Sequence, residues 1–124
     1  MSEQTLRILI AGALFVHGVG HTLGFWRPVN SWLLGGLSEP ARRTISSIFW
    51  ILSAIGFVAA SLGFLNFIVP NEWWRSLAIA SSLVSLAGLI VFIGNWPLFN
   101  TIGALGMNIL VLASLLRIDW LPEV

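Results

Sequence analysis

Two histidines spaced one helical turn apart carry the clearest chemical potential in this sequence. His17 and His21 are the only histidines among the 124 residues, and they enclose Gly-Val-Gly. On an α-helix this spacing places both rings on one face, about 6 Å apart along the axis. A neutral imidazole has one N–H donor and one acceptor nitrogen, so the pair could link helices, bind a ligand or coordinate a metal.

Other polar side chains in apolar segments could reach these histidines. Asn108 lies near the middle of the last apolar segment, at a depth similar to that of His17 in the first, and the third segment contributes Ser81 and Ser85. Polar side chains in hydrocarbon usually face the interior of a helix bundle. We therefore expect a polar cluster of candidate ligand-binding residues: His17, His21, Asn108, Ser81 and Ser85. Both rings are expected to be neutral at pH 7, because no carboxylate lies inside the apolar segments.

Three interpretations of this cluster stay open. The histidines could link helices through hydrogen bonds of about 1 kcal/mol each, line a pocket for an apolar small molecule or lipid, or bind a metal or haem. A zinc site needs three or four ligands, and the apolar segments contain no further His, Cys, Asp or Glu. Only a homodimer could supply four histidines. We predict no metal site within one chain, and the sequence indicates no particular cofactor.

Composition assigns the chain to a membrane and excludes several function classes. Hydrophobic residues make up 57% of the chain and charged residues 9%, and the mean hydropathy is +0.93, values typical of a membrane protein. A chain without cysteine can form neither a disulfide nor an iron–sulfur cluster. The six basic residues are all arginines and form no basic stripe with interleaved aromatics, so no nucleic-acid partner is expected.

Four apolar segments are long enough to cross a bilayer, for which about 20 residues suffice. We predict an all-α fold, a polytopic four-transmembrane-helix bundle that forms a single domain over residues 1–124. A three-span chain with the last helix lying in the membrane interface is the alternative. The predicted helices cover about residues 6–26, 44–69, 73–93 and 98–116.

Residues between these segments predict how the helices begin and end. The connector 27–43 is expected to lie partly in the membrane interface, and Ser38 is the predicted N-cap of the second helix, with Pro40 in its first turn. Asn71 is predicted to cap the third helix. The arginines divide three against three between the two faces, so the positive-inside rule predicts no orientation.

The tryptophans predict two interfacial belts, because Trp concentrates where hydrocarbon meets head groups. One belt would contain Trp26, Trp32, Trp50 and Trp96, and the other Trp73, Trp74 and Trp120.

Small residues predict the faces on which the helices pack, since close van der Waals contact drives helix association in lipid. The glycines expected at these contacts are Gly20, Gly24, Gly56, Gly63 and Gly88. On the first helix, the side chains expected to face lipid are Leu14, Phe15, Val19 and Leu23.

The string from His17 to Phe25, His-Gly-Val-Gly-His-Thr-Leu-Gly-Phe, resembles the first helix of small prokaryotic four-helix membrane proteins that carry H-G-x-x-H followed by G-F. In architecture the chain is also loosely similar to DoxX-like four-helix membrane proteins, some of which are linked to respiratory or redox complexes. These resemblances imply a four-helix membrane fold and no particular activity.

From these features we expect a multi-pass protein of the cytoplasmic membrane. It would bind an apolar small molecule, membrane lipid or membrane-protein partner around the histidine and asparagine cluster, and it is not predicted to be an enzyme. One alternative is a small dimeric transporter or channel with the histidines along its pathway. A further alternative is a metal- or haem-linked redox component.

Overall fold

Four helices make up the structure, a computed structural model that describes residues 2–118 and the side chains of residues 2–116. All four are long and apolar enough to cross a membrane, and no strand occurs within residues 2–118. The predicted all-α, four-helix fold is confirmed. The helices are α1, Glu3–Gly20, which continues as a 3-10 helix over His21–Trp26; α2, Glu39–Phe64; α3, Trp74–Val91, after a 3-10 turn at Asn71–Trp73; and α4, Leu98–Ala113, which ends in a π-helical segment, Ser114–Ile118.

Local interactions determine where α2 begins and ends. Ser38 caps its start, because the Ser38 hydroxyl accepts a hydrogen bond of 3.3 Å from the backbone N–H of Ala41, as predicted. The helix ends at Phe64, before the predicted limit of residue 69. The chain reverses at Asn66 and Ile68, whose φ angles are positive at 54° and 68°. The apolar run alone could not show this reversal.

Asn71 does not cap α3, so that prediction is wrong. Its side-chain amide instead donates a hydrogen bond of 2.9 Å to the carbonyl of Gly63. This carbonyl belongs to the last turn of α2 and also accepts a hydrogen bond of 3.0 Å from the backbone N–H of Asn66. Asn71 therefore adds a side-chain hydrogen bond to the end of the helix before it.

The helices pack in chain order, α1 on α2, α2 on α3 and α3 on α4, so that the side between α1 and α4 is the least closely packed. Leu14, which we expected to face lipid, is only 3% exposed. It lies one turn before His17 on the inward face of α1, and this explains the error. The other three side chains expected to face lipid are exposed as predicted: Phe15, Val19 and Leu23.

The tryptophans form no simple pair of belts. Three of them are exposed, as a membrane interface requires: Trp26, Trp32 and Trp73. Trp74 is buried, and Trp50, only 2% exposed, lies about three turns inside α2, where its ring packs edge-on against Trp96 at 5.5 Å between centroids. Placing Trp50 in a belt was therefore wrong. Trp120 lies outside the described residues.

Glycines allow the closest helix contacts, but on α1 one of the predicted positions is wrong. A Cβ at Gly20 would meet no atom within 4 Å, whereas a Cβ at Gly18 would lie 2.9 Å from the Cβ of Phe57 and 3.1 Å from the backbone nitrogen of Val58. Gly18, which we did not single out, thus allows the close approach of α1 to α2. The other predicted glycines do make tight contacts: Gly24, Gly56, Gly63 and Gly88.

We predict opposite effects for Gly18→Ala and Gly20→Ala. The added methyl group at Gly18 would force α1 away from α2, at a cost of about 1–3 kcal/mol of unfolding free energy. At Gly20 it would enter open space, and alanine is the better helix former. Thermal unfolding in mild detergent should show a lower midpoint for Gly18→Ala only. Equal midpoints would contradict the packing described for α1.

We also predict alternating sidedness along the chain, measured with single cysteines because the natural chain has none. Exposed positions are Gln4, Gly36, Glu72 and Leu98. In sealed vesicles, a membrane-impermeant maleimide should label cysteines at 4 and 72 from one side and cysteines at 36 and 98 from the other. Labelling of positions 36 and 72 from the same side would contradict a membrane-crossing α2.

Candidate functional site

The two histidines are positioned by the change from α-helix to 3-10 helix in α1. His21 is the first residue of the 3-10 segment, and its Nδ1 lies 2.7 Å from the backbone carbonyl of His17. In the same turn, the hydroxyl of Thr22 donates a hydrogen bond of 2.7 Å to the carbonyl of Val19. Side-chain hydrogen bonds to backbone thus hold the turn that presents both rings to the bundle interior.

Three helices meet in a continuous chain of hydrogen bonds, which we call the His–Asn–Ser ring: His17, His21, Ser85 and Asn108. Nε2 of His17 lies 2.8 Å from Oδ1 of Asn108. The Asn108 amide donates a bond of 2.8 Å to the Ser85 hydroxyl, which lies 2.6 Å from Nε2 of His21. The structure thus links Asn108 to His17 directly and to His21 through Ser85.

The proton positions in the His–Asn–Ser ring follow from one group that can only accept. The carbonyl of His17 has no proton, so His21 must donate from Nδ1, and a neutral His21 then accepts at Nε2 from the Ser85 hydroxyl. Ser85 has a single proton and must therefore accept from the amide of Asn108. This fixes the amide orientation, so Oδ1 of Asn108 accepts from Nε2–H of His17. A neutral His17 is left with an unprotonated, accepting Nδ1.

Aromatic rings enclose this polar chain on the α2 side. Phe57, which is fully buried, lies edge-on to His17 at 4.6 Å between centroids, and Trp50 lies 6.0 Å from His21. Asn108 and Ser85 are themselves fully buried. Sequence reasoning missed Phe57, because a phenylalanine beside a predicted packing glycine gave no signal of a polar neighbour.

The two serines proposed for the site separate. Ser85 belongs to the His–Asn–Ser ring, whereas Ser81 makes no hydrogen bond to it within the described chain and its hydroxyl lies against Gly56 of α2. The next residue on α3, Ser82, is fully buried, and its hydroxyl has no hydrogen-bond partner among residues 2–116.

A cavity of about 250 Å³ adjoins the ring, between α1 and α4. From α1 it is lined by both histidines and by Gly20, whose missing side chain leaves it open, and from α4 by Gly103 and Ala104. A second cavity of about 130 Å³ continues along the same two helices beyond the His17–Asn108 bond. The weak packing of α1 on α4 thus leaves a largely apolar groove that one polar link crosses.

Two polar atoms at this cavity have no partner among the described residues. Nδ1 of His17 takes part in no hydrogen bond, and His17 lines the cavity. Trp96 lines the cavity as well, and its Nε1 donor is buried without an acceptor. Because the Trp96 donor is enclosed by protein atoms, Nδ1 of His17 is the atom of this pair that is left to accept a hydrogen bond from a molecule in the cavity.

Metal coordination is poorly matched to this geometry. Both nitrogens of His21 are already engaged, by the His17 carbonyl and by Ser85. Within the described residues, no group of three or more His, Cys, Asp or Glu side chains comes together. The two rings also stand edge-on at 4.8 Å between centroids, on one helix.

The fold and the site together define a class, a small all-α bundle with four potential membrane spans and a hydrogen-bonded histidine, asparagine and serine ring in its interior. Comparison of the chain with protein-family models, with curated proteins and with solved structures gave no match. The likeness of the first helix to other small four-helix membrane proteins therefore stays a prediction from its sequence.

Ser85→Ala and Ser82→Ala form a matched test of the ring. Both serines are fully buried on α3, but only Ser85 joins two partners. Removing its hydroxyl would leave Asn108 without an acceptor and His21 without a donor, each costing about 1–3 kcal/mol, whereas Ser82→Ala removes an unpaired hydroxyl. Chemical unfolding in mixed micelles should show a clear loss of stability only for Ser85→Ala; similar losses in both would contradict the ring.

Proposed function

We propose that this chain is a multi-pass protein of the cytoplasmic membrane of a prokaryote and that it binds a lipid-soluble small molecule in the cavity between α1 and α4. The observation that carries the proposal is an unpartnered accepting nitrogen, Nδ1 of His17, on a residue that lines an otherwise apolar cavity. The His–Asn–Ser ring holds His17 so that its accepting nitrogen is left for a ligand.

A purely structural role for the histidines explains less of what is observed. Helix-linking hydrogen bonds account for the contacts of Asn108 and Ser85, but not for a cavity beside them. That cavity, about 250 Å³ in volume, is lined by His17, whose Nδ1 is free to accept a hydrogen bond, and this favours an occupant.

The chemistry of the wall indicates the kind of ligand. Nδ1 of His17 requires a hydrogen-bond donor, such as a hydroxyl. The remaining lining, including Val16, Leu89 and Ala104, is apolar. The ligand is therefore mostly hydrocarbon with one or two oxygen-bearing groups, and the cavity volume lies below the usual range of about 300–1,000 Å³ for drug-sized ligands.

Access from the lipid is consistent with where the cavity lies. It opens between two helices rather than at a loop, and its rim includes Leu23 and Phe99, which expose 53% and 88% of their surface. Large apolar side chains exposed to this degree belong in hydrocarbon. A lipid-soluble molecule could thus enter sideways from the bilayer without crossing water.

The proposal is tested by filling the cavity. Gly20→Leu places a side chain in the cavity wall, while Gly12→Leu adds the same side chain to the exposed face of α1, where a Cβ also meets no atom within 4 Å. Purified in mild detergent, wild-type protein should retain an organic-extractable compound, identified by mass spectrometry at close to one per chain. Gly20→Leu should lose it, and Gly12→Leu should keep it.

Two results would contradict this function. One is an identical extract from wild-type and Gly20→Leu proteins that unfold at similar temperatures. The other is loss of the compound in both leucine variants, which would indicate binding to the outer surface of α1.

A further inference from the structure

We infer that the ligand is a single-chain hydroxylated lipid whose anionic head group is bound by Arg27. This inference rests on the proposed function and adds the chemical class of the ligand. Arg27 directly follows the 3-10 segment of α1 and lines a recess of about 340 Å³ at the end of the helices. Leu23, Trp96 and Asn100 line both this recess and the α1–α4 cavity, so the two spaces are continuous.

The guanidinium of Arg27 has free hydrogen-bond donors on its terminal nitrogens. Its Nε donates a hydrogen bond of 3.0 Å to the carbonyl of Asn95, which fixes the guanidinium plane. Its terminal nitrogens make no hydrogen bond or ion pair with any described residue. A guanidinium held in this way can bind a carboxylate or phosphate through parallel hydrogen bonds.

The other arginines at this end of the molecule are occupied. Arg42 donates to the carbonyls of Val29 and Leu37, and Arg43 forms an ion pair of 2.7 Å with Glu39. Glu39 is the only described acidic residue at this end. The recess therefore has a positive charge with no protein counter-ion, and an anion complements it.

The recess and the cavity together suggest one chain with two polar groups. An anionic oxygen in the recess could accept hydrogen bonds from the terminal nitrogens of Arg27. Arg27 lies ten residues after His17, and because the steps beyond His21 are in 3-10 helix, the rise is about 18 Å. This corresponds to about 15 bonds of an extended chain at about 1.2 Å per bond. A hydroxyl at that distance would meet Nδ1 of His17, and the rest of the chain would extend towards the second cavity.

A single chain fits better than a two-chain phospholipid. The groove lies between one pair of helices, and its cavities measure about 250 and 130 Å³. The His17–Asn108 bond crosses the groove, so there is no broad cleft for a second acyl chain.

The inference is tested with 14-hydroxystearate, which has 15 bonds between its carboxylate and hydroxyl oxygens, in detergent micelles at pH 8. Its binding is followed by displacement of 9,10-dibromostearate, whose bromine atoms quench tryptophan fluorescence when they lie close to Trp96 and Trp50. The free acid should bind about tenfold more tightly than its methyl ester, as a charge-assisted hydrogen bond would give. Arg27→Gln should remove this preference, and Arg27→Lys should retain most of it.

Arg43→Gln is the matched control, because it removes the same charge at the same end of the molecule from a residue that does not line the recess. The contact it loses near Arg27 is a long hydrogen bond of 3.3 Å to the carbonyl of Phe25, which does not line the recess either. If Arg27→Gln and Arg43→Gln reduce the preference equally, general surface attraction explains it and the inference is overturned. Displacement by a two-chain phosphatidylglycerol as strong as that by 14-hydroxystearate would overturn the single-chain assignment. Thermal unfolding confirms that each variant remains folded.

The two levels of the proposal can fail separately. If Gly20→Leu weakens binding of acid and ester alike while Arg27→Gln changes nothing, the cavity function stands and the anionic head group is wrong. If Gly20→Leu leaves binding of both compounds unchanged, the cavity is not the binding site and the proposed function itself fails.

Discussion

The hydrogen bond from His21 to the backbone carbonyl of His17 determines much of what surrounds it. A carbonyl can only accept, so His21 donates from Nδ1, and for a neutral His21 this one contact assigns the direction of the Ser85 hydroxyl, the orientation of the Asn108 amide and the protonated nitrogen of His17. Three helices are thereby joined by polar contacts that are all satisfied, as burial in a low-dielectric interior requires. The single unsatisfied position is left on His17, at the cavity.

The helix α1 packs closely against α2 on one side and borders open space on the side of α4. Gly18 lets the backbone of α1 approach Val58 of α2, and Gly24 lets the ring of Trp50 approach α1. The side of α1 that faces α4 has no such contact. A Cβ at Gly20 or Gly103 would meet no atom within 4 Å, and both glycines line the cavity between α1 and α4.

The sequence predicted the helices and the polar cluster better than the details that depend on rotation and direction. Length and hydropathy sufficed for four helices, and comparable depth in two segments sufficed to pair His17 with Asn108. Which glycine of the His-Gly-Val-Gly-His string faces α2 depends on a helical rotation that the string alone does not fix, so Gly20 was chosen where Gly18 makes the contact. Trp50 was assigned to an interface because tryptophan favours interfaces, a tendency that interior packing overrides. From the sequence, Arg27 was counted only as a charge, because the sequence does not show that its terminal nitrogens have no hydrogen-bond partner among the described residues.

The distribution of charge has an electrical consequence. Within the part of the chain that the structure describes, charged side chains stand at or near the helix ends, and the interior contains only neutral donors and acceptors if both imidazoles are uncharged. A membrane potential does work of about 2.3 kcal/mol per 100 mV on each elementary charge that moves across the bilayer. A bundle that moves no such charge has no gating charge, so its shape should be the same in energised and de-energised membranes.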